Sequence, residues 1–131
     1  MSDTMSIQIV KPCPCGGEAL ETCCGRFIGD AELPQTPEQL MRSRYTAYVL
    51  ADEAYLRATW DPTTCPTEEL IEPSIKWVGL EVRAAQEEGN DGIVEFIARA
   101  KVGGRARRLH ETSRFIRRDG RWWYIDGDVK A

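Results

Sequence analysis

The chain has 131 residues, of which 42% are hydrophobic and 29% charged, and a formal net charge of −4; this is enough for one ordinary core with a small appendage and too short for two full cores. The composition is close to globular averages and has no low-complexity run, which excludes a long disordered linker. No stretch approaches the roughly 20 apolar residues of a membrane-spanning helix, and MSDTMSIQIV lacks the basic and apolar regions of a signal peptide, so the expectation is a cytoplasmic protein without membrane contact, with residues 1–10 as a flexible terminus.

The next segment, residues 11–30, holds CPCGGEALETCC, which places Cys13, Cys15, Cys23 and Cys24, four of the five cysteines, within one short stretch. Stable disulfides are disfavoured in a reducing compartment, and the adjacent Cys23 and Cys24 would need a strained ring to bridge each other. A thiophilic ion instead gains from every thiolate. Gly16 and Gly17 follow the first pair and can take the positive φ of a tight turn, which folds the strand back and points backbone N–H groups at the sulfurs. Zinc, one ion, suits a closed four-sulfur site; iron is the second choice, and the adjacent pair could also supply a single ligand with water completing the shell. Cys65, in DPTTCPTEE, stands alone and reads as a small loop hydrophobe rather than a nucleophile.

Residues 34–131 read as an α+β domain that keeps its own core. In TPEQ, Thr36 is placed as an N-cap, Pro37 in the first turn and Gln39 to close a capping box, and Leu40, Met41, Tyr45, Tyr48 and Val49 then recur at helical spacing. Asp52 caps a second short helix that stops before Asp61–Pro62, and TEELIEP at 67–73 is expected to add a further turn. From residue 74 the period changes to two. SIKWVGLEVRAAQ, GIVEFIARAKV, RARRLHETSRFIRR and RWWYIDGDV read as four strands joined by EEGND, GG and RDG, an antiparallel meander covered on one face by the helices.

Such a cone can enclose a pocket. On the third strand Leu109, Glu111, Ser113 and Phe115 share one face and His110, Thr112, Arg114 and Ile116 the other. Arg42 and Arg44 lie on the first long helix, and an arginine on an apolar face is tolerable only when paired, so Glu111 or Asp126 is expected to meet one of them. Arg42, Arg44, Tyr45, Glu111 and Asp126 are therefore the candidate pocket, with a buried structural ion pair as the plainer reading. His110, the single histidine, reads as a surface or packing residue before it reads as a base. In RWWYIDG, Trp123 must face opposite Trp122 and Tyr124.

The net charge conceals an asymmetry: residues 1–73 hold five Lys/Arg against twelve Asp/Glu, and residues 74–131 hold twelve against nine. Arg105, Arg107, Arg108, Arg117 and Arg118 are the candidate polyanion-binding set, against the simpler reading of a solvated sheet face.

The cysteine cluster resembles the SEC-C motif, the small zinc knuckle found at the end of SecA-type translocase motors and in many bacterial proteins. LMRSRYTAYVLADEAYLRATW (40–60) and ETSRFIRRDGRWWYIDG (111–127) resemble the YchJ family of uncharacterised bacterial proteins, and the similarity spans residues 13–127. The resemblance implies a zinc knuckle followed by a cone of the nuclear-transport-factor-2-like or cystatin-like kind, with Cys13, Cys15, Cys23 and Cys24 as the ligands. EALET (18–22) replaces the lysines usual in the translocase knuckle, which weakens the transfer of their contacts with acidic partners to this chain, and no second knuckle is expected up to Ala131. The expectation is a non-enzymatic adaptor with a protein partner. The alternatives are a small enzyme or ligand carrier using the cone, or a weak nucleic-acid binder. An open cavity with converging polar groups would favour the enzyme or carrier, and a filled cone with an exposed patch near the knuckle would favour the adaptor.

Overall fold

The structure is a computed structural model that describes residues 11–130; the expected flexible terminus, residues 1–10, lies outside the described residues. A single 3-10 turn, Leu20–Thr22, and a four-residue helix α1, Gly25–Ile28, form the cysteine-bearing segment. Helices α2, Pro37–Val49, and α3, Glu53–Ala58, precede strands β1, Ile75–Glu88, β2, Asp91–Val102, β3, Arg105–Arg118, and β4, Arg121–Lys130. The strands pair in sequence order, each antiparallel to the next. The result is the expected α+β arrangement of helices on a four-stranded antiparallel sheet.

Local chemistry sets the helix ends. The Thr36 hydroxyl accepts the Gln39 N–H at 3.1 Å, and the Asp52 carboxylate accepts the Tyr55 N–H at 3.1 Å. The capping box closes one residue earlier than expected, because the Gln39 side chain accepts the Gln35 N–H at 2.7 Å rather than that of Thr36. TEELIEP adds no helical turn. Pro66 and Pro73 bracket it, and it instead runs as an irregular strap whose Pro66 and Glu68 carbonyls accept from Arg57, with Leu70 and Ile71 packed over Phe27, Ala47, Tyr55 and Leu56.

The sheet is curved by breaks in register between Trp77 and Gly79 and between Val82 and Ala84 on β1, and beside Arg114–Phe115 where β3 meets β4. Its concave face presents Val94, Phe96, Ala98 and Phe115 to Leu40, Met41 and Tyr45 of α2. Leu40, Leu56, Val94 and Phe115 are fully buried, each stabilising the fold by about 1.5–3 kcal/mol through burial alone. As alternation requires, Trp122 is buried on the inner face while Trp123 packs outside against Arg118 and Arg121.

Asp61 fastens the segment after α3 to the sheet. Its N–H donates to the Tyr124 carbonyl at 2.8 Å, and its carboxylate accepts the Thr63 hydroxyl at 2.7 Å, the Thr63 N–H at 2.9 Å and Arg118 at 3.0 Å. The Thr63 hydroxyl and N–H, then Arg118, hold this carboxyl down to about 2. A folded-state value below the unfolded one of about 3.9 stabilises the fold above that pH, and the contribution disappears as pH falls through the folded value. Asp61→Asn is expected to lower the melting temperature at about pH 6, and the gap to the unsubstituted protein should shrink as pH is lowered toward 2; a gap independent of pH would refute this role.

Candidate functional site

Two regions gather chemistry-bearing side chains. In the first, Gly16, at φ +101°, turns the chain so that its N–H donates to the Cys13 carbonyl at 3.0 Å, and the Leu20 N–H closes back onto Lys11 at 2.9 Å. Cys23 and Cys24 enter α1, where their carbonyls accept the first helical N–H groups. The sulfurs of Cys13, Cys15, Cys23 and Cys24 consequently lie within 4.8 Å of one another, with Cys15 and Cys23 at 3.6 Å. Zn–S bonds of about 2.3 Å arranged tetrahedrally give sulfur separations of about 3.8 Å, so a small contraction would close the shell on an ion. Gly17 is required by close approach: a Cβ there would stand 2.6 Å from the Cys23 sulfur.

All five cysteines are free thiols, and three of the four clustered ones are buried. The Cys15 thiol is held down to about 4, chiefly by a hydrogen bond from Cys24 and further by the Gly17 N–H, against the opposing effect of burial. Cys24 is pushed up by donating to Cys15, and Cys23 is pushed up to about 11, first by burial. A dication among these sulfurs would favour thiolate at each ligand. The donor set fits a metal ion.

The knuckle is docked rather than appended. Cys13, Cys15 and Cys24 belong to the same buried cluster as Leu40, Met41 and Tyr45. The Cys13 sulfur is 3.7 Å from the Thr46 hydroxyl, and Arg42 donates to the Cys15 carbonyl at 2.8 Å while its Nε holds Glu38 at 2.9 Å. The knuckle thus shares part of its packing with the cone.

The second region is a cavity of about 190 Å³ between α2 and the sheet. Met41, Arg44, Tyr45 and Tyr48 line it from α2, Trp77, Phe96, Ala98, Leu109 and Phe115 give the sheet side, and Glu111, Ser113 and Tyr124 bring polar groups. Arg44 is 5% exposed and Tyr45 6%. Neither expected arginine–carboxylate pair forms. Arg42 is taken by Glu38 and the knuckle, and Arg44 has no carboxylate within ion-pair distance among the described residues. Arg44 donates instead through Nη1 to the Leu56 carbonyl at 2.8 Å and the Thr59 hydroxyl at 2.7 Å, and it packs on the rings of Trp60 and Tyr124, whose centroids lie 4.8 and 4.4 Å from Cζ. Burial lowers its proton affinity.

Glu111 does reach the cavity, where its Oε2 accepts the Ser113 hydroxyl at 2.7 Å and the Tyr124 hydroxyl at 3.1 Å. Burial first, and then the charge of Glu111, pushes the Tyr124 phenol up, which keeps it a proton donor. Asp126 does not reach it. Between Tyr124, opposite Phe115, and Asp126, opposite Arg114, Ile125 is an extra residue, and this bulge turns Asp126 to the outer face, where it binds Arg114 at 2.7 Å. Tyr48 is read from the sequence only as part of the apolar helical set and not as a pocket residue, although it stands one helical turn from Arg44; Ser113 and Tyr124 could be assigned a face but not a partner.

The remaining candidates are dispersed. Arg105, Arg107 and Arg108 lie exposed beside the β2–β3 hairpin, and alternation sends Arg108 to the face opposite the other two. Arg117 and Arg118 lie at the other end of β3, where Arg117 binds Asn90 and Gly89 and Arg118 binds Asp61. The five do not form one surface. His110 sits on the outer face, 2.6 Å from Glu95, and Cys65 lies in the loop after α3 near Arg57.

A family profile described as YchJ, middle NTF2-like domain, matches residues 36–127. A UPF0225 protein of Ralstonia nicotianae is 55% identical over 130 residues, covering 89% of this chain and 90% of the relative, and one of Chromobacterium violaceum is 53% identical, covering 89% and 92%. The solution structure of a SEC-C motif containing protein from Rhodopseudomonas palustris matches with a TM-score of 0.81 at 34% identity, covering 92% of this chain and 100% of that one. The crystal structure of a SEC-C motif containing protein from Psychrobacter arcticus, at 24% identity and a TM-score of 0.74, covers 92% and 84% and shares the fold.

Gly127 faces Ser113 across β3 and β4, and a Cβ there would fall on the Glu111 carboxylate. Gly127→Ala is expected to destabilise the protein by about 1–3 kcal/mol through overpacking. In a Glu111→Ala background the penalty should largely vanish; an unchanged penalty in denaturant melts of the double variant would show that Gly127 serves another purpose.

Proposed function

The chain belongs to the YchJ-like family of UPF0225 proteins, and we propose that within that frame it is a zinc-stapled carrier or receptor that encloses a small organic ligand in the cone. The observation that carries this reading is the cavity of about 190 Å³, whose walls are mostly apolar and whose lining includes Arg44, Glu111 and Tyr124. A cavity of about 150 Å³ is known to accept benzene, so the space suits a ring-sized molecule. Apolar lining with a few placed polar groups is the ordinary composition of a small-molecule site. The protein works in the cytoplasm, where reducing conditions keep the thiols available for metal. No helix among the described residues is long and apolar enough to cross a membrane.

Cys13, Cys15, Cys23 and Cys24 hold one zinc ion, whose contribution is structural: it neutralises the thiolates and fixes the knuckle against α2. The second reading, a protein adaptor, is favoured by Val49 and Leu50, which end the helix that carries the knuckle and are 37% and 47% exposed. Nucleic-acid binding is weaker, because the five arginines lie at two ends of a strand.

Purified protein is expected to carry about one zinc by metal analysis, and Cys13→Ser or Cys23→Ser to lose it. Because the cysteines share a core with Leu40 and Met41, chelation should also lower the unfolding midpoint reported by tryptophan fluorescence; metal loss with no change in that midpoint would show a detachable knuckle.

The cavity is tested with toluene as probe. Its addition to the full chain should shift NMR resonances of Tyr45, Tyr48 and Ala98, and Ala98→Phe, which fills the space, should abolish the shifts. Absence of any shift in the unsubstituted protein would leave the adaptor reading in its place.

A further inference from the structure

We propose that the ligand class of the cone is a small organic carboxylate with a ring-sized apolar body, its carboxylate paired with the free edge of Arg44. This rests on the reading of the cone as a ligand site and adds the chemistry that selects the ligand.

The argument starts from an electrostatic imbalance. A guanidinium remains protonated in proteins, and a cation held away from water without a counter-ion is costly. Arg44 is 5% exposed, lines the cavity, and has no carboxylate within ion-pair distance among the described residues. Its Nη1 is committed to α3 through Leu56 and Thr59. Its Nε and Nη2 donate to no described residue, and together they form the planar edge that binds a carboxylate through two parallel hydrogen bonds. The rings of Trp60 and Tyr124 hold the group in place, so little side-chain freedom remains to be lost on binding.

Glu111 is the group that could oppose an anion here. Its Oε2 is engaged by the hydroxyls of Ser113 and Tyr124, which draw off part of its charge, and the Tyr124 ring packs against Arg44 while its hydroxyl contacts Glu111. The other titratable groups lining the cavity, Tyr45 and Tyr48, are phenols that burial keeps protonated, and Tyr48 is one helical turn from Arg44 on the same wall. The apolar remainder, Met41, Trp77, Phe96 and Leu109, suits a hydrocarbon ring and offers nothing to a phosphate or sugar.

The test compares phenylacetate with phenylacetamide, which has the same body and no charge, by NMR titration of the full, metal-loaded chain. Phenylacetate is expected to bind at least tenfold more tightly, with the Arg44 Nε–H resonance shifting on saturation. Arg44→Met should erase the preference. Should that variant fail to fold, Ala98→Phe, which leaves Arg44 in place and removes the room, should abolish binding of both compounds. Equal affinity for the two compounds, or a preference that survives Arg44→Met, would overturn the proposal. If toluene binds and phenylacetate gains nothing over the amide, the carboxylate class fails while the cavity reading stands; if none of the three binds, both fail.

Discussion

Helix α2 is packed on three sides at once, and the rest of the structure depends on that packing. Leu40, Met41 and Tyr45 bury against the cysteine cluster on one flank and against Val94, Phe96 and Phe115 on the other. Ser43 and Arg44 tie the same helix to α3 through the Tyr55 hydroxyl, the Leu56 carbonyl and the Thr59 hydroxyl. Eight of its thirteen residues are buried, including Ser43, Arg44 and Thr46. A helix of that length is marginal alone in water, so its stability comes from tertiary contacts, and the polar residues on it must find their partners inside the protein. The knuckle, the α3 segment and the cavity wall are three consequences of where those partners lie.

The strands were legible because alternation and turn residues are local signals. The four runs and their joins match β1 to β4 and their hairpins, and the caps at Thr36 and Asp52 were set by side chains next to the bonds they make. Asp126 was misplaced because a bulge at Ile125 reverses the faces beyond it, and nothing in YIDGD marks where the extra residue goes. The partner of Arg44 was misjudged for another reason: a guanidinium can be satisfied by a carbonyl, a hydroxyl and two rings as well as by a carboxylate. Which it meets is decided by the packing of α3 and β4, elements distant in sequence. Likewise the spacing of the cysteines indicated that four sulfurs converge, while their place in the main core depended on Thr46 and Arg42, more than twenty residues away.

The charge count along the chain was a poor guide because several of the charges on the sheet are paired with one another at its surface. Glu81 with Arg99, Glu95 with His110 and Lys130, and Arg114 with Asp126 and Asp128 all sit at the surface. Such exposed pairs are worth about 0–1 kcal/mol each and are screened by salt. Arg44 differs in kind. Its charge is nearly removed from water, so its environment has large energetic consequences although it adds only one unit to the total.

Arg42 and Arg44 bring the two sites into one argument. Two positions apart on α2, one bonds the knuckle carbonyl of Cys15 and the other lines the cavity, and Met41 between the two regions touches both the cysteine cluster and the cavity. Protein interiors are packed as closely as organic crystals, so a wall made of one helix does not yield on one flank without shifting on the other. The position of α2, and with it the width of the cavity in front of Arg44, is therefore set by packing against the cysteine-bearing segment and the sheet together.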